Sequence, residues 1–256
     1  MVAGVASLAG GGPGRAVVVG ASMTALQFAI GALNDLVDAP ADAGRKPAKP
    51  IPGGEVAPAT ARVVAVVMAL IGVGLAATVN LILAAVALVV LSIGAAYDLV
   101  FKGTAWSWLP FAVGIPILPV YGWFGATGSL PEGFAVLIPA AALAGAGLAI
   151  ANARADADAD RASGTASVAT RLGTDLSWWV GAGLMGAAAA AAFLPLAKAG
   201  WAASTWVVVL AGLILVVAGL LLGRGDGISR RRAWEVQAIG AAVAATGWVS
   251  GISSGA

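Results

Sequence analysis

Cysteine and histidine are both absent from the 256 residues, so the chain has no disulfide, no thiol nucleophile, no imidazole base and no Cys- or His-ligated metal. Any metal it binds must be held by oxygen. Charge is the next scarcity: 10% of residues are charged and 60% are hydrophobic, against roughly 25% charged in an ordinary soluble domain. So few polar groups cannot cover a surface that faces water. The net charge of +2 is too small to draw the chain to a nucleic acid, and no nucleic-acid partner is expected.

What the chain has instead is apolar runs, each close to the ~20 residues that cross a bilayer. They fall at roughly 16–34, 62–79, 81–100, 106–127, 133–152, 175–197, 203–223 and 234–252, about eight spans of an all-α integral membrane protein. The run from Arg62 to Val100 is too long for one helix, and Thr78-Val79-Asn80 is the expected reversal, because Asn favours turns. Residues 1–10 are apolar but short, and Gly10-Gly11-Gly12-Pro13-Gly14 stops them. They make half a membrane helix at most, and with no basic residue ahead of them they do not read as a signal peptide.

Passing these spans alternately through a membrane puts Arg45, Lys46, Lys49, Arg62, Lys102, Arg154, Arg161, Arg171, Arg224, Arg230, Arg231 and Arg232 on one side. Only Arg15 and Lys198 lie opposite. Basic loops stay in the cytoplasm, so a cell-membrane location is expected with this side cytoplasmic and the C-terminus exported. The acids crowd the same side, Glu132 excepted. A face that concentrates both signs of charge suits a metal and an anionic substrate.

The acids form two clusters, each at the end of a span. In Asn34-Asp35-Leu36-Val37-Asp38-Ala39-Pro40-Ala41-Asp42, a helix turning about 100° per residue puts Asp35, Asp38 and Asp42 within an arc of about 60°, provided it continues through Pro40. Carboxylates at a membrane boundary are costly unless partnered, which makes them functional candidates, although a solvated helix end would also carry acids. A stiff basic loop follows, Arg45-Lys46-Pro47-Ala48-Lys49-Pro50-Ile51-Pro52-Gly53-Gly54, whose cations either anchor the loop inside or bind phosphate oxygens. In the second cluster, Asn152, Asp156 and Asp160 are spaced by four and form one helical stripe in an Ala-rich background. Asp158 points the other way and ranks below them, and a salt bridge from Arg154 to Asp158 is the plain structural alternative. Magnesium takes oxygen ligands, joining one or two carboxylates to substrate phosphates and water, and two facing acidic helices suit it.

These residues resemble the UbiA-type intramembrane prenyltransferases. Asn34, Asp35, Asp38 and Asp42 match the family's first motif, Asn-Asp-x-x-Asp-x-x-x-Asp, and Lys46 to Gly54 are similar to the Arg-Pro-x-Arg-Pro-Ile-Pro-Ser-Gly tail that follows it in some members. Asp156, Asp160, Gly164 and Ser167 resemble the second motif, Asp-x-x-x-Asp-x-x-x-Gly-x-x-Thr, and Tyr97 with Lys102 resembles a Tyr and Lys pair between the two. The resemblance implies one domain over residues 1–256, a multi-helix bundle around a central cavity capped by cytoplasmic loops. The family usually has nine spans, so residues 1–15 read as a truncated or vestigial first helix. It further implies Mg2+ held by Asp35, Asp38, Asp42, Asp156 and Asp160, supported by Asn34 and Asn152, and a diphosphate bound by Asn34, Lys46, Lys49, Tyr97, Lys102, Asn152 and Arg161. The implied partners are a prenyl diphosphate, a lipophilic or aromatic acceptor and membrane lipid, and the implied activity is magnesium-dependent prenyl transfer with release of diphosphate.

Three rivals bear on that reading. A terpene cyclase of the same family would use the same site without an acceptor. A CDP-alcohol phosphotransferase would carry Asp-Gly-x-x-Ala-Arg, which is absent. A cation-coupled transporter would place its acids near mid-membrane rather than at span ends. Elsewhere the tryptophans read as interfacial anchors, Gly145-x-Gly147 and Gly181-x-Gly183 as close helix contacts, and Arg230-Arg231-Arg232 as an orientation anchor.

Overall fold

A computed structural model describes residues 1–44, 48–196 and 200–255. A short helix α1 (Val2–Leu8) precedes α2 (Pro13–Asp42), α3 (Pro58–Val79) and α4 (Leu81–Ala96), which runs into a π-helical turn at Tyr97–Phe101. Then come α5 (Leu109–Thr127), α6 (Phe134–Ala155), the short α7 (Ala157–Ser163) and α8 (Val168–Leu172), and finally α9 (Thr174–Leu196), α10 (Ala203–Leu222) and α11 (Gly227–Gly255). Eight of these segments are long and apolar enough to cross a membrane, the number expected, and no strand occurs among the described residues. The chain is a multi-pass membrane protein.

Local chemistry sets the boundaries. Asn80 is extended (φ −169°, ψ 162°), ends α3, and caps α4 by accepting the Leu83 N–H at 2.7 Å, so the expected reversal is there. Pro40 does not stop α2. It removes the hydrogen bond to the Leu36 carbonyl, but only near the C-terminal end, and the helix runs on two more residues to Asp42. The last span starts well before residue 234, because Asp226 accepts the Ser229 N–H at 2.9 Å and nucleates α11 at Gly227. Arg230, Arg231 and Arg232 therefore belong to its first turns.

Lipid offers no hydrophobic drive between helices, so close approach of small residues does the packing. A Cβ on Gly212 of α10 would sit 2.4 Å from the Ala244 nitrogen and 2.6 Å from the Gly240 oxygen of α11, which puts the two backbones in direct contact. Gly145 faces the Phe111 carbonyl of α5 as tightly, and Gly147 faces Met185 of α9, but Gly183 meets nothing within 4 Å and is not a packing residue. The outward faces carry exposed Val63, Leu70, Leu81, Val207 and Ile214, as a lipid boundary does. Trp106 and Trp179 are exposed, in line with the anchor reading, but Trp123 and Trp248 are not anchors. They are buried with Val5, Phe134 and Val249, and the Trp248 indole N–H is satisfied by the Ala192 carbonyl at 3.0 Å.

The bundle has a polar end and an apolar middle. At one end lie the C-termini of α2, the π turn, α6 and α10 and the N-termini of α3, α9 and α11. Below that end, α5, α6, α9, α10 and α11, with Met1 and Val5 at the N-terminus, line an open apolar cavity of about 290 Å³, with Ile115, Leu148, Met185, Leu213, Val216 and Trp248 among the lining residues. Its rim at Leu148 is one helical turn from Asn152, about 6 Å along α6.

Candidate active site

Because α2 continues through Pro40, Asp35, Asp38 and Asp42 do share one face. A single ammonium gathers them: Lys49 Nζ lies 2.8 Å from Asp42, 3.3 Å from Asp38 and 3.4 Å from Asp35. Burial pulls the Lys49 ammonium down, but its hydrogen bonds to Asp42 and Asp38 and their charges outweigh this and hold its pKa above the ordinary value. Lys49 thus remains charged throughout the neutral range. A second cation arrives from α4's end. Lys102 Nζ donates to both oxygens of Asp38, at 2.7 and 2.8 Å. Asp38 is the one carboxylate held by both lysines.

The π turn accounts for Lys102's reach. Its backbone N–H donates to the Tyr97 carbonyl at 2.8 Å, five residues back, so Tyr97 and Lys102 stand over one another across a widened turn. Lys102 Nζ lies 5.9 Å from the centre of the Tyr97 ring, whose other neighbour is Phe111, edge-on at 5.2 Å. The same turn buries a carboxylate that sequence reasoning overlooked, Asp98, 5% exposed, which accepts the Asn34 amide N–H at 2.6 Å. The signal was present: an acid inside an apolar run, between the two residues already singled out.

The second cluster departs from expectation. The helix breaks at Asp156 (φ −99°, ψ 0°), so Asn152, Asp156 and Asp160 do not form one continuous stripe. A break there lets Asp158 and Asp160 sit in the first turn of α7, where acids complement the helix dipole. Arg154 does not pair with Asp158. It is buried, donating to the Thr174 carbonyl at 2.6 Å and the Gly223 carbonyl at 2.8 Å, and so ties α6 to α9 and to the end of α10. Asp158 is held instead by Arg161 at 2.6 Å and Arg230 at 2.7 Å, and Arg231 reaches Asp156 at 3.5 Å. The arginines of α11 are therefore more than an orientation anchor. Arg161 also donates to the Thr174 hydroxyl at 2.8 Å, and Asn152 is half-buried at the end of α6. Tyr97 lies within electrostatic reach of Asp98 and Asp38 and also of Asp156 and Asp160. Lys46, expected on the diphosphate, lies outside the described residues.

The donor set fits a hard divalent cation: it is all oxygen, and three carboxylates already converge on one positive charge at Lys49. Among the described residues no three acids close into a ready-made cage. Magnesium does not require one, since it binds through one or two carboxylates and completes its shell with phosphate and water.

The sequence profile of the UbiA prenyltransferase family matches residues 1–249. The chain belongs to the UbiA prenyltransferase family. By sequence it matches no curated protein. Its fold is that of solved UbiA structures. A UbiA homologue from Aeropyrum pernix K1 superposes with a TM-score of 0.75 at 21% identity, over 94% of this chain and 93% of that one. A digeranylgeranylglyceryl phosphate synthase gives 0.75 at 15% identity, over 99% and 92%. A UbiA homologue from Archaeoglobus fulgidus bound to DMAPP and Mg2+ gives 0.67 at 17% identity, over 95% and 94%.

Proposed function

We propose that this UbiA-family protein transfers a prenyl group from an allylic prenyl diphosphate to a lipophilic or aromatic acceptor inside the membrane, releasing diphosphate. The observation that carries the reading is that both acidic clusters act on one side chain, Tyr97, at the polar end of the bundle, with an apolar cavity beginning one helical turn below Asn152. Asp35, Asp38, Asp42, Asp156 and Asp160 are the proposed ligands of Mg2+, with Asn34, Asn152 and Tyr97 beside them. When bound, the metal would supply Lewis-acid neutralisation of charge building on the leaving diphosphate. Lys49 and Lys102, relieved of their carboxylates, and Arg161 then donate to the diphosphate oxygens, and Arg231, poised over Asp156, is added to that set. The cavity takes the prenyl chain and keeps water from the allylic cation. The acidic end faces the cytoplasm of the cell membrane, by its basic loops, and residues 1–256 act as one unit.

Purified protein mixed with prenyl diphosphates of several lengths should release diphosphate with Mg2+ and cease to do so on chelation. No release at any length would overturn the reading. Parallel reactions with and without a panel of acceptors separate transfer from cyclisation, the second reading that this same site allows. Cavity depth gives a further expectation. Ala144 lines it one turn beyond Leu148, so Ala144→Phe should lower kcat/KM for long prenyl chains by about tenfold or more while sparing the shortest, as a filled apolar subsite does.

A further inference from the structure

Asp98 lies in the apolar stretch between α4 and Lys102, and only a specific role repays the desolvation of a carboxylate there. One of its oxygens, Oδ1, accepts from Asn34 Nδ2 at 2.6 Å, and the other, Oδ2, is buried with no hydrogen-bond partner. Asn34 stands one turn before Asp38 on α2, on the face that carries the acidic cluster. Its amide has two chemically different ends, one a donor and the other an acceptor. An ionised carboxylate can only accept, so the bond to Asp98 fixes the amide's orientation: one N–H of the NH2 end is committed to Asp98, and the carbonyl oxygen is the acceptor end left for a ligand.

We propose that Asp98 is a positioning residue that makes Asn34 present an oxygen, not an N–H, to the metal site. This rests on the magnesium-diphosphate reading above, and it moves Asn34 from the diphosphate, where an N–H would be wanted, to the cation. A merely structural role for Asp98, pinning the π turn to α2, makes a different forecast. Asp98→Asn keeps a hydrogen bond to Asn34, but the two amides pair equally well in either orientation, so the link survives while the direction is lost.

The test is Mn2+ binding followed by electron paramagnetic resonance in the presence of inorganic diphosphate, together with thermal melting without metal. Asp98→Asn should weaken Mn2+ binding about 10- to 100-fold, the range for outer partners that orient a ligand, with melting unchanged. The exchanged pair, Asn34→Asp with Asp98→Asn, rebuilds the bond with donor and acceptor reversed and again leaves an oxygen for the metal, so it should recover most of the affinity. Wild-type Mn2+ affinity in Asp98→Asn, or no recovery in the exchanged pair, would overturn the proposal. Should Asp98→Asn fail to fold, the exchanged pair against Asn34→Ala carries the same comparison: affinity no better than that of Asn34→Ala overturns it. Absence of any Mn2+ binding by the wild type would instead sink the metal site itself, and Asp98's role with it.

Discussion

Asp38→Asn should yield a folded membrane protein whose Mg2+-dependent diphosphate release is down on the order of a thousandfold. Asp38 is the carboxylate on which both lysines converge, Lys102 through two hydrogen bonds and Lys49 through one. Its amide replacement has about the same volume but no charge, so α2 and its packing are retained. Under the proposed function, what is lost is an anionic oxygen for the metal, and with it the means of exchanging Lys102 from carboxylate to phosphate. Single-turnover release of diphosphate, beside a melting curve in detergent, separates the two effects. Asp158→Asn is the matched control. That carboxylate is exposed and tied to Arg161 and Arg230, so its loss should cost far less, and an equal loss would remove the distinction drawn between Asp158 and its neighbours.

Gly212→Val is expected to abolish the folded protein rather than its chemistry. The added Cβ would fall on the Ala244 nitrogen and the Gly240 oxygen, and neither can swing aside as a side-chain end could. α10 and α11 would have to part, at a cost above about 3 kcal/mol. Gly183→Val, at a site where nothing lies within 4 Å, should stay within about 0.5 kcal/mol of the wild type. Size-exclusion profiles and melting temperatures of the two variants in one detergent measure the difference. Equal behaviour would mean that the α10 and α11 contact does not hold the bundle together.

The contrast between those glycines shows how far the sequence could be read. Span number and the Asn80 reversal were legible because hydropathy and turn chemistry act locally, and Asp35, Asp38 and Asp42 because helical spacing does. Local rules could not tell Gly183 from Gly145, which differ in what another helix brings near them. Nor could they assign partners across long separations: Asp158 is met by Arg230, 72 residues away, and Asn34 by Asp98, 64 away. The break at Asp156 was missed for a related reason. Alanine favours helix throughout that segment, and the buried clamp of Arg154 on the ends of α9 and α10 fixes α6 just where the chain leaves its axis. Asp98 escaped notice because its burial depends on the π turn and its partner on α2, neither of which local spacing around Tyr97 and Lys102 discloses.

Lys49's grip on three carboxylates also bears on the order in which ligands arrive. An isolated diphosphate approaching this end of the bundle meets aspartates whose nearest described cations are already engaged, and so gains little. Metal and diphosphate arriving as one complex offer an exchange in which each broken ion pair has a successor, carboxylate to metal and ammonium to phosphate. The resting pairs would then act as a coincidence detector, discriminating against either component alone before any bond to carbon is stretched.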